Sequence, residues 1–282
     1  MKPIIKWVGG KTQLLDTIHK LMPEKWGSYF EPFCGGGALL LDLAPDCAYA
    51  NDVNSELINM YMQVREHVDD VILYLTTLDS GHEAAADPKI YFYEIRNQFN
   101  YNLNSKTAEQ AARLIYLNKH CFNGLYRVNS QGYFNVPFNG KLSGGSFKED
   151  HLREVSKLLH RVEFSLGDFE DCLVNVEPGD FVFFDSPYAA LTPTSFTDYT
   201  KEGFEYEDHV RLAKIYKKLS DAGVYCMLTN HDTALIRDLY KDYTITEVEV
   251  SRSINSKGNN RKGKEIIITN YTTGGEELNK DA

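Results

Sequence analysis

The chain alternates short apolar runs with longer amphipathic segments. Runs that end in glycine or in acidic residues predict strands at 28–33, 47–50, 162–166, 181–184, 224–228, 244–250 and 265–271. The patterns over 38–43 and 205–222 predict helices, and Gly223 ends the second of them. Strands that alternate with helices are typical of an open α/β sheet, and the last two strands are expected to close it as an antiparallel pair.

The segment from residue 55 to residue 150 differs from the rest of the chain. Helical patterns over 55–78, 89–103 and 107–121 replace the strands. Two short apolar runs, 126–128 and 133–136, surround a glycine-containing turn, which predicts a β-hairpin. We therefore predict a discontinuous catalytic domain over 1–54 and 151–271, an inserted, mostly helical domain over 55–150, and a disordered tail over 272–282.

The composition indicates an intracellular protein with a full core. The chain has 282 residues, of which 43% are apolar and 12% aromatic. It lacks both the roughly 18 uninterrupted apolar residues of a membrane span and the apolar region of a signal peptide. The five cysteines are scattered without C-x-x-C spacing, which argues against a disulfide framework and a structural zinc site. We expect a cytoplasmic protein without a metal site.

The net charge of the chain and the distribution of its basic residues give opposite indications about a nucleic-acid partner. A net charge of −10 and a pI of about 5.3 argue against a nucleic-acid partner. Basic residues nevertheless occupy 119–148 and 252–264 without any Asp or Glu among them. Each stretch is either a solvated face or a local track for phosphates, and charge alone does not decide between the two.

The first predicted strand leads into a glycine-rich sequence, Cys34-Gly35-Gly36-Gly37, which allows a nucleotide-like ligand to approach the backbone closely. Leu40 stands where the dinucleotide pattern G-x-G-x-x-G needs its third glycine, and Ile5 stands where a P-loop ending in Gly10-Lys11 needs its first. Asp52, at the end of the second strand, is suited to accept hydrogen bonds from both ribose hydroxyls of a nucleoside. These features indicate either a nucleoside site or a tight turn with a helix cap.

An aromatic-rich strand at 181–184 leads directly into Asp185, Ser186, Pro187 and Tyr188. Open α/β sheets bind their ligands at the carboxyl ends of strands, and this strand brings a carboxylate, a proline-stiffened turn and an aromatic ring to that edge. The segment is the sharpest local indication of a catalytic site. An ordinary strand followed by a turn explains the same residues, so the segment alone leaves both explanations open.

Several motifs follow one another in a specific order: 6–11 (KWVGGK), 30–37 (FEPFCGGG), 51–52 (ND) and 185–188 (DSPY). In this order they resemble the Dam-type, D12 class DNA adenine-N6 methyltransferases, and the likeness extends over residues 3–271. Residues 122–129 and 134–138 resemble the recognition hairpin of the same family. Each motif alone is weak, but five motifs in one order make a chance match very improbable.

The resemblance implies a Rossmann-like, S-adenosylmethionine-dependent methyltransferase fold with an inserted DNA-recognition domain. The positions that match the family's cofactor-binding residues are Trp7, Lys11, Phe33, Gly35, Gly37, Asp52, Asp168, Phe169 and Asp185. Within this set Asp52 is implied to hold the ribose, while Asp168 and Phe169 contact the cofactor adenine. The implied partner is double-stranded DNA, and we expect a monomer or a weak dimer. The sequence leaves open whether a cognate restriction endonuclease accompanies the protein.

The resemblance also assigns catalytic roles to Asp185, Ser186, Pro187 and Tyr188. An adenine flipped out of the duplex would donate one N6 hydrogen bond to the Asp185 carboxylate and one to the main-chain carbonyl of Ser186. Tyr188 would stack on the base, together with an aromatic residue from 189–199. The family usually has proline where this chain has Ser186, and serine retains the carbonyl but loses the fixed φ of proline. The loop is therefore expected to be less rigid, with no role for the serine hydroxyl.

The residues matched to DNA recognition are Phe122, Asn123, Leu125, Arg127 and Pro137. Arg127 is expected to contact guanine O6 and N7, and Leu125 and Pro137 to contact the thymine methyl group. Phe122 or Asn123 would fill the gap left by the flipped base, with GATC as the expected site. Two alternatives stay open. The same fold could methylate a protein glutamine or a base in structured RNA, or the chain could bind DNA without turnover.

Overall fold

The computed structural model describes residues 1–189, 204–251 and 262–272. Residues 273–282 of the predicted tail, most of the basic stretch at 252–264 and loop residues 190–199 lie outside the described residues. Within the described ranges, no helix is long and apolar enough to cross a membrane.

The elements of the described residues alternate between helix and strand in the first and last thirds of the chain. The α-helices are α1 (Leu15–Leu21), α2 (Ala38–Leu43), α3 (Ser55–Glu66), α4 (Val68–Ala84), α5 (Pro88–Tyr101), α6 (Ala108–His120), α7 (Glu149–Leu159), α8 (Tyr206–Asp221) and α9 (Ala234–Leu239). The strands are β1 (Tyr29–Glu31), β2 (Ala48–Asp52), β3 (Val162–Leu166), β4 (Phe181–Phe184), β5 (Tyr225–His231), β6 (Thr244–Ser251) and β7 (Lys262–Thr269). The predicted α/β class is confirmed, and the arrangement is consistent with a methyltransferase fold.

The chain divides into two compact units. The first unit comprises Met1–Lys11 and Cys34–Asp171, and the second comprises Thr12–Phe33 and Cys172–Ala282. These boundaries differ from the predicted domains, because helices of the 55–150 segment share the first unit with β2 and β3. Tyr61 on α3 stacks on Phe164 of β3 with ring centroids 5.1 Å apart, which joins the helical segment to the strands. A target-recognition role for 55–150 stays a prediction.

In the second unit, five strands lie side by side in the order β1-β4-β5-β7-β6. β1 is parallel to β4 and β4 is parallel to β5, while β7 is antiparallel to both β5 and β6. The predicted antiparallel closing pair is therefore confirmed. All four residues of β4 are buried, as expected for a strand that is covered on both faces. In the first unit, β2 and β3 are parallel, with Asp52 opposite Leu166.

Several predicted elements have other bounds in the structure, and the helix over 55–78 and the strand over 224–228 are two of them. The helix expected over 55–78 is two helices, because His67 has a non-helical backbone, with φ −136° and ψ 42°, between α3 and α4. The change of direction lets Val71, Leu75 and Leu78 of α4 become buried. The strand predicted over 224–228 is longer in the structure. β5 continues to His231, although its final residues are polar.

The predicted hairpin consists of a turn closed by bridges. Val128 and Phe134 form an antiparallel bridge, and the main-chain N–H of Asn129 donates to the carbonyl of Tyr133 at 2.9 Å. The outward-facing main-chain groups of Phe134 pair with a helix side chain instead of a further strand. Asn100 of α5 accepts from the Phe134 N–H at 2.8 Å and donates to its carbonyl at 3.0 Å. Asn100 thus provides the two main-chain groups of Phe134 with the hydrogen bonds that a neighbouring β-strand would otherwise provide.

Candidate active site

The glycine-rich loop after β1 is held by the carboxyl end of β2. The Cys34 N–H donates to the carbonyl of Asn51 at 2.8 Å, and the Gly35 N–H donates to Asp52 Oδ2 at 2.9 Å. On the other side, the hydroxyl of Tyr61 donates to the Gly35 carbonyl at 2.8 Å. These three hydrogen bonds together fix the conformation of the loop.

Gly35 and Gly37 could not be replaced by larger residues without displacing neighbours. Both have left-handed φ values, 49° and 61°. A Cβ atom on Gly35 would lie 2.9 Å from Trp7 Cδ1, and one on Gly37 would lie 2.9 Å from the Tyr61 hydroxyl. Backbone conformation and close approach thus both require glycine here.

We predict that Gly37→Ala destabilises the protein more than the same substitution at a glycine that also has a left-handed φ but has free space around it. The left-handed backbone costs an L-residue about 1–2 kcal/mol, and the new Cβ also pushes against Tyr61. Gly140→Ala is the matched control, since Gly140 has φ 80° and a Cβ atom added there would meet no other atom within 4 Å. Thermal unfolding should show the larger fall in Tm for Gly37→Ala; equal falls would mean that Tyr61 moves aside without cost.

Asp52 accepts two main-chain hydrogen bonds at the end of β2. Its Oδ2 receives the Gly35 N–H, and its Oδ1 receives the Asn54 N–H at 2.9 Å. Burial raises the pKa of the Asp52 carboxyl, and these N–H groups oppose that rise. Each carboxylate oxygen has two lone pairs, so accepting one main-chain hydrogen bond does not exhaust its capacity for a ligand hydroxyl.

The turn that contains Asp168 and Phe169 lies beside Asp52. The Gly167 N–H donates to the Asp52 carbonyl at 3.3 Å. The buried amide of Asn51 donates to the Gly167 carbonyl at 3.0 Å and accepts from Ser165 Oγ at 2.8 Å. Asn51 therefore ties the end of β2 to the turn after β3. The sequence motif included this residue, but its positioning role was visible only in the structure.

The N-terminal segment joins the glycine loop to the predicted recognition segment. Trp7, which approaches Gly35, stacks on Tyr126 with ring centroids 4.9 Å apart and planes at 25°. The side chain of Asn118 on α6 accepts from the Lys6 N–H at 2.9 Å and donates to the Lys6 carbonyl at 2.8 Å. Lys11 is buried, and its Nζ donates to the Gly9 carbonyl at 2.7 Å. Trp7 and Lys11 thus lie in the same unit as Asp52.

In the second unit, the loop after β4 carries the predicted catalytic residues. Asp185 Oδ1 accepts from Thr229 Oγ1 at 2.9 Å. The Tyr188 hydroxyl donates to Glu265 Oε2 at 2.7 Å, and its ring lies 4.3 Å from that of His231. Pro187 is exposed and Ser186 is buried. Phe33, at the end of β1, makes an edge contact with Phe204 at 5.7 Å.

Sequence reasoning missed the residues that support this loop, which are Thr229, Asn230, His231 and Glu265. Thr229 and Asn230 are fully buried polar residues at the carboxyl end of β5. Their signal in the sequence is the polar run that follows the apolar residues 224–228. A polar run at a strand end also occurs in ordinary loops, so the pattern alone did not single it out.

The predicted recognition residues form an exposed surface of the first unit. Phe122, Asn123, Arg127 and Pro137 are exposed, and Leu125 is half-buried. The Phe122 N–H donates to the Pro137 carbonyl at 2.8 Å, which holds the two ends of the segment together. Arg127 Nε donates to Asn135 Oδ1 at 2.7 Å across the turn. This hydrogen bond orients the guanidinium of Arg127.

The chain is similar to known proteins over nearly its whole length. The chain matches the D12 class N6 adenine-specific DNA methyltransferase family over residues 7–254. It is 43% identical over 277 residues to type II methyltransferase M1.LlaDCHI of Lactococcus lactis subsp. cremoris, covering 96% of each chain. It is 40% identical over 287 residues to type II methyltransferase M.MjaIII of Methanocaldococcus jannaschii, covering 96% of this chain and 99% of the relative.

A DNA adenine methylase of Escherichia coli (strain K12) is 31% identical to the chain over 274 residues, which cover 97% of this chain and 96% of the relative. The family match spans most of the sequence and includes the glycine loop, Asp52 and the loop after β4. The chain therefore belongs to the D12 class of N6 adenine-specific DNA methyltransferases.

Proposed function

We propose that the enzyme transfers a methyl group from S-adenosylmethionine to the N6 of an adenine that is flipped out of duplex DNA, with GATC as its site. The observation that supports the proposal most directly is the environment of Asp185 and Ser186 in the loop after β4. There Asp185 and Ser186 follow a fully buried strand, and side chains of the neighbouring strand β5 form hydrogen bonds with the side chains of both residues. In this proposal the Asp185 carboxylate and the Ser186 main-chain carbonyl act as a pair of hydrogen-bond acceptors. An exocyclic amine with two hydrogens is the group that such a pair of acceptors suits.

The first unit fits the methyl donor. A nucleoside cofactor needs an acceptor for its ribose hydroxyls and a backbone that it can approach closely, and Asp52 and the glycine loop provide these. The residues of this unit that would hold it are Trp7, Lys11, Gly35, Gly37, Asp52, Asp168 and Phe169. When bound, S-adenosylmethionine supplies a methyl group that its sulfonium activates towards nucleophiles.

Asp185 and Ser186 orient the adenine amine. The lone pair of N6 is delocalised into the ring, so the amine is a poor nucleophile. When the amine donates one hydrogen bond to the Asp185 carboxylate and one to the Ser186 carbonyl, the nitrogen is drawn towards tetrahedral geometry and its lone pair is directed out of the ring plane. Tyr188 stacks on the base, and its hydroxyl bond to Glu265 holds the ring in place.

The 55–150 segment supplies target recognition in this proposal. Arg127, oriented by Asn135, contacts guanine. Leu125 and Pro137 contact thymine methyl groups. Phe122 or Asn123 fills the position in the duplex that the flipped adenine leaves. The type II names of two relatives support a cognate restriction endonuclease of the same specificity as a partner. We further propose that the enzyme acts in the cytoplasm as a monomer or a weak dimer.

The activity is tested with tritiated S-adenosylmethionine and a GATC duplex. Label should enter this duplex, and it should not enter a matched duplex in which both GATC adenines already carry an N6-methyl group. Label on every adenine-containing duplex would contradict GATC specificity, and label on neither duplex would contradict the proposed function.

We predict that Asp52→Ala weakens cofactor binding at least tenfold. The variant loses charge-assisted hydrogen bonds to the ribose, which contribute about 1.5–3 kcal/mol each, and a tenfold change corresponds to about 1.4 kcal/mol. Calorimetry with S-adenosylhomocysteine measures the change without turnover. Asp46→Ala is the control, since Asp46 is fully exposed and pairs with Arg161. A wild-type dissociation constant for Asp52→Ala would exclude the ribose role.

A further inference from the structure

One buried amide contacts most of the loop that carries the catalytic residues. Asn230, at the carboxyl end of β5, is fully buried. Its Oδ1 accepts from the Ala189 N–H at 2.9 Å and from the His231 N–H at 2.8 Å. Its Nδ2 donates to Ser186 Oγ at 3.2 Å and lies 3.5 Å from the Pro187 carbonyl. Three loop residues are thus held by a single side chain.

The chemistry of these partners fixes the orientation of the amide. The main-chain N–H groups of Ala189 and His231 can only donate, so the atom that faces them is the amide oxygen. The NH2 group must then face Ser186 Oγ and the Pro187 carbonyl, both of which can accept. Turning the amide over would leave buried donors facing each other, at a cost of about 1–3 kcal/mol for each unsatisfied group.

The contacts of Asn230 lie on both sides of one peptide group. The carbonyl of Ser186 stands between the Ser186 side chain and the Pro187 carbonyl, and Nδ2 of Asn230 faces both of those groups. Rotation about the N–Cα bond of Ser186 would move the Ser186 carbonyl together with the Ser186 side chain and the Pro187 carbonyl, and would therefore disturb these contacts. Serine does not fix its own φ as proline does, so these contacts restrain a bond that the residue itself leaves free.

The residues on either side of Asn230 act on neighbouring loop positions. Thr229 donates to Asp185 Oδ1, and His231 Nδ1 lies 3.0 Å from the Ala189 carbonyl. Three consecutive residues of β5 thus contact the loop from Asp185 to Ala189. Asn230 is the central one, and it is the one whose partners flank the Ser186 carbonyl.

We propose that Asn230 is a positioning residue for methyl transfer, which fixes the Ser186 carbonyl as an acceptor for the adenine amine through the Ser186 hydroxyl and the Pro187 carbonyl. The proposal rests on the proposed function of the loop. It gives the Ser186 hydroxyl a structural task that the sequence alone did not indicate. Asn230 itself does not touch the adenine.

The kinetic test compares Asn230→Ala with Asn270→Ala. Asn270 is a matched control, because its amide accepts from the Cys226 N–H and donates to the Val224 carbonyl, both at 2.8 Å, at the opposite end of β5. We expect Asn230→Ala to lower kcat at least tenfold, with KM for the GATC duplex within threefold of wild type. Asn270→Ala should lower Tm and leave kcat per active site within twofold. Equal losses of kcat in both variants would overturn the proposal.

Ser186→Ala keeps the main-chain carbonyl and removes only the hydroxyl, so it tests the proposal even if Asn230→Ala fails to fold. We expect kcat to fall about threefold to tenfold. The Ser186→Ala/Asn230→Ala double variant should lose no more than Asn230→Ala alone, since the hydroxyl acts through Asn230. A wild-type kcat for Ser186→Ala, or additive losses in the double variant, would overturn the proposal.

Hydrogen–deuterium exchange separates this proposal from the proposed function. The Ala189 N–H should exchange at least tenfold faster in Asn230→Ala than in wild type or in Asn270→Ala, whether or not DNA is methylated. If the wild-type enzyme fails to label a GATC duplex, the proposed function fails, and accelerated exchange would still show that Asn230 holds the loop. Unchanged exchange in Asn230→Ala overturns the positioning role itself.

Discussion

Asp185→Ala is expected to reduce methyl transfer to a GATC duplex at least a hundredfold while the protein stays folded. The carboxylate accepts one of the two hydrogen bonds that N6 donates, and it is oriented by the hydroxyl of Thr229, which donates to its Oδ1 at 2.9 Å. Losing that acceptor leaves the nitrogen lone pair in the ring. A hundredfold loss corresponds to about 2.7 kcal/mol of transition-state stabilisation.

Single-turnover rates with tritiated S-adenosylmethionine measure this loss, and circular dichroism with Tm reports folding. Asp185→Asn is the sharper variant, since it keeps the shape of the side chain but presents an NH2 group where the carboxylate accepts. Asp221→Ala, which removes an exposed carboxylate of the same unit that pairs with Lys217, should keep the wild-type rate. More than a tenth of wild-type turnover in Asp185→Ala would contradict the role given to the carboxylate.

Arg127→Ala is expected to relax discrimination at one base pair of the site by about 5-fold to 150-fold, the equivalent of the 1–3 kcal/mol that a bidentate arginine–guanine contact contributes. Binding to unrelated duplex should change little, because a base contact adds nothing on a sequence that lacks the base. Asn135→Ala should show the same relaxation to a smaller extent, since Asn135 orients the guanidinium through its bond to Nε.

The measurement is the ratio of kcat/KM on GATC to that on each duplex with one substituted base pair, together with Kd at several salt concentrations. Arg161→Ala is the matched control, since Arg161 is an exposed arginine of the same unit that pairs with Asp46. Uniform weakening of Arg127→Ala on every duplex, with a shallower salt dependence, would make Arg127 a phosphate contact instead.

Local sequence patterns predict many of the secondary-structure elements. α2, β3 and β4 have the predicted bounds, because apolar runs and glycine or acidic stops are visible within a few residues. The break at His67 was missed, since α3 and α4 continue one amphipathic pattern and only their packing separates them. The hairpin is predicted as two strands, and the structure has a turn closed by the Val128–Phe134 bridge. Asn100, distant in sequence, pairs with the outer main-chain groups of Phe134.

The sequence by itself determined the α/β class, the family and the residues that carry its motifs, because each motif is a contiguous run with its own spacing. Tertiary structure decided how those residues are supported. Asn230 meets Ser186 across 44 positions and Glu265 meets Tyr188 across 77, through parallel and antiparallel strand pairing that no local pattern records. A polar residue at a strand end has the same appearance in a sequence whether it faces water or holds a catalytic loop, and only burial against a specific partner separates the two.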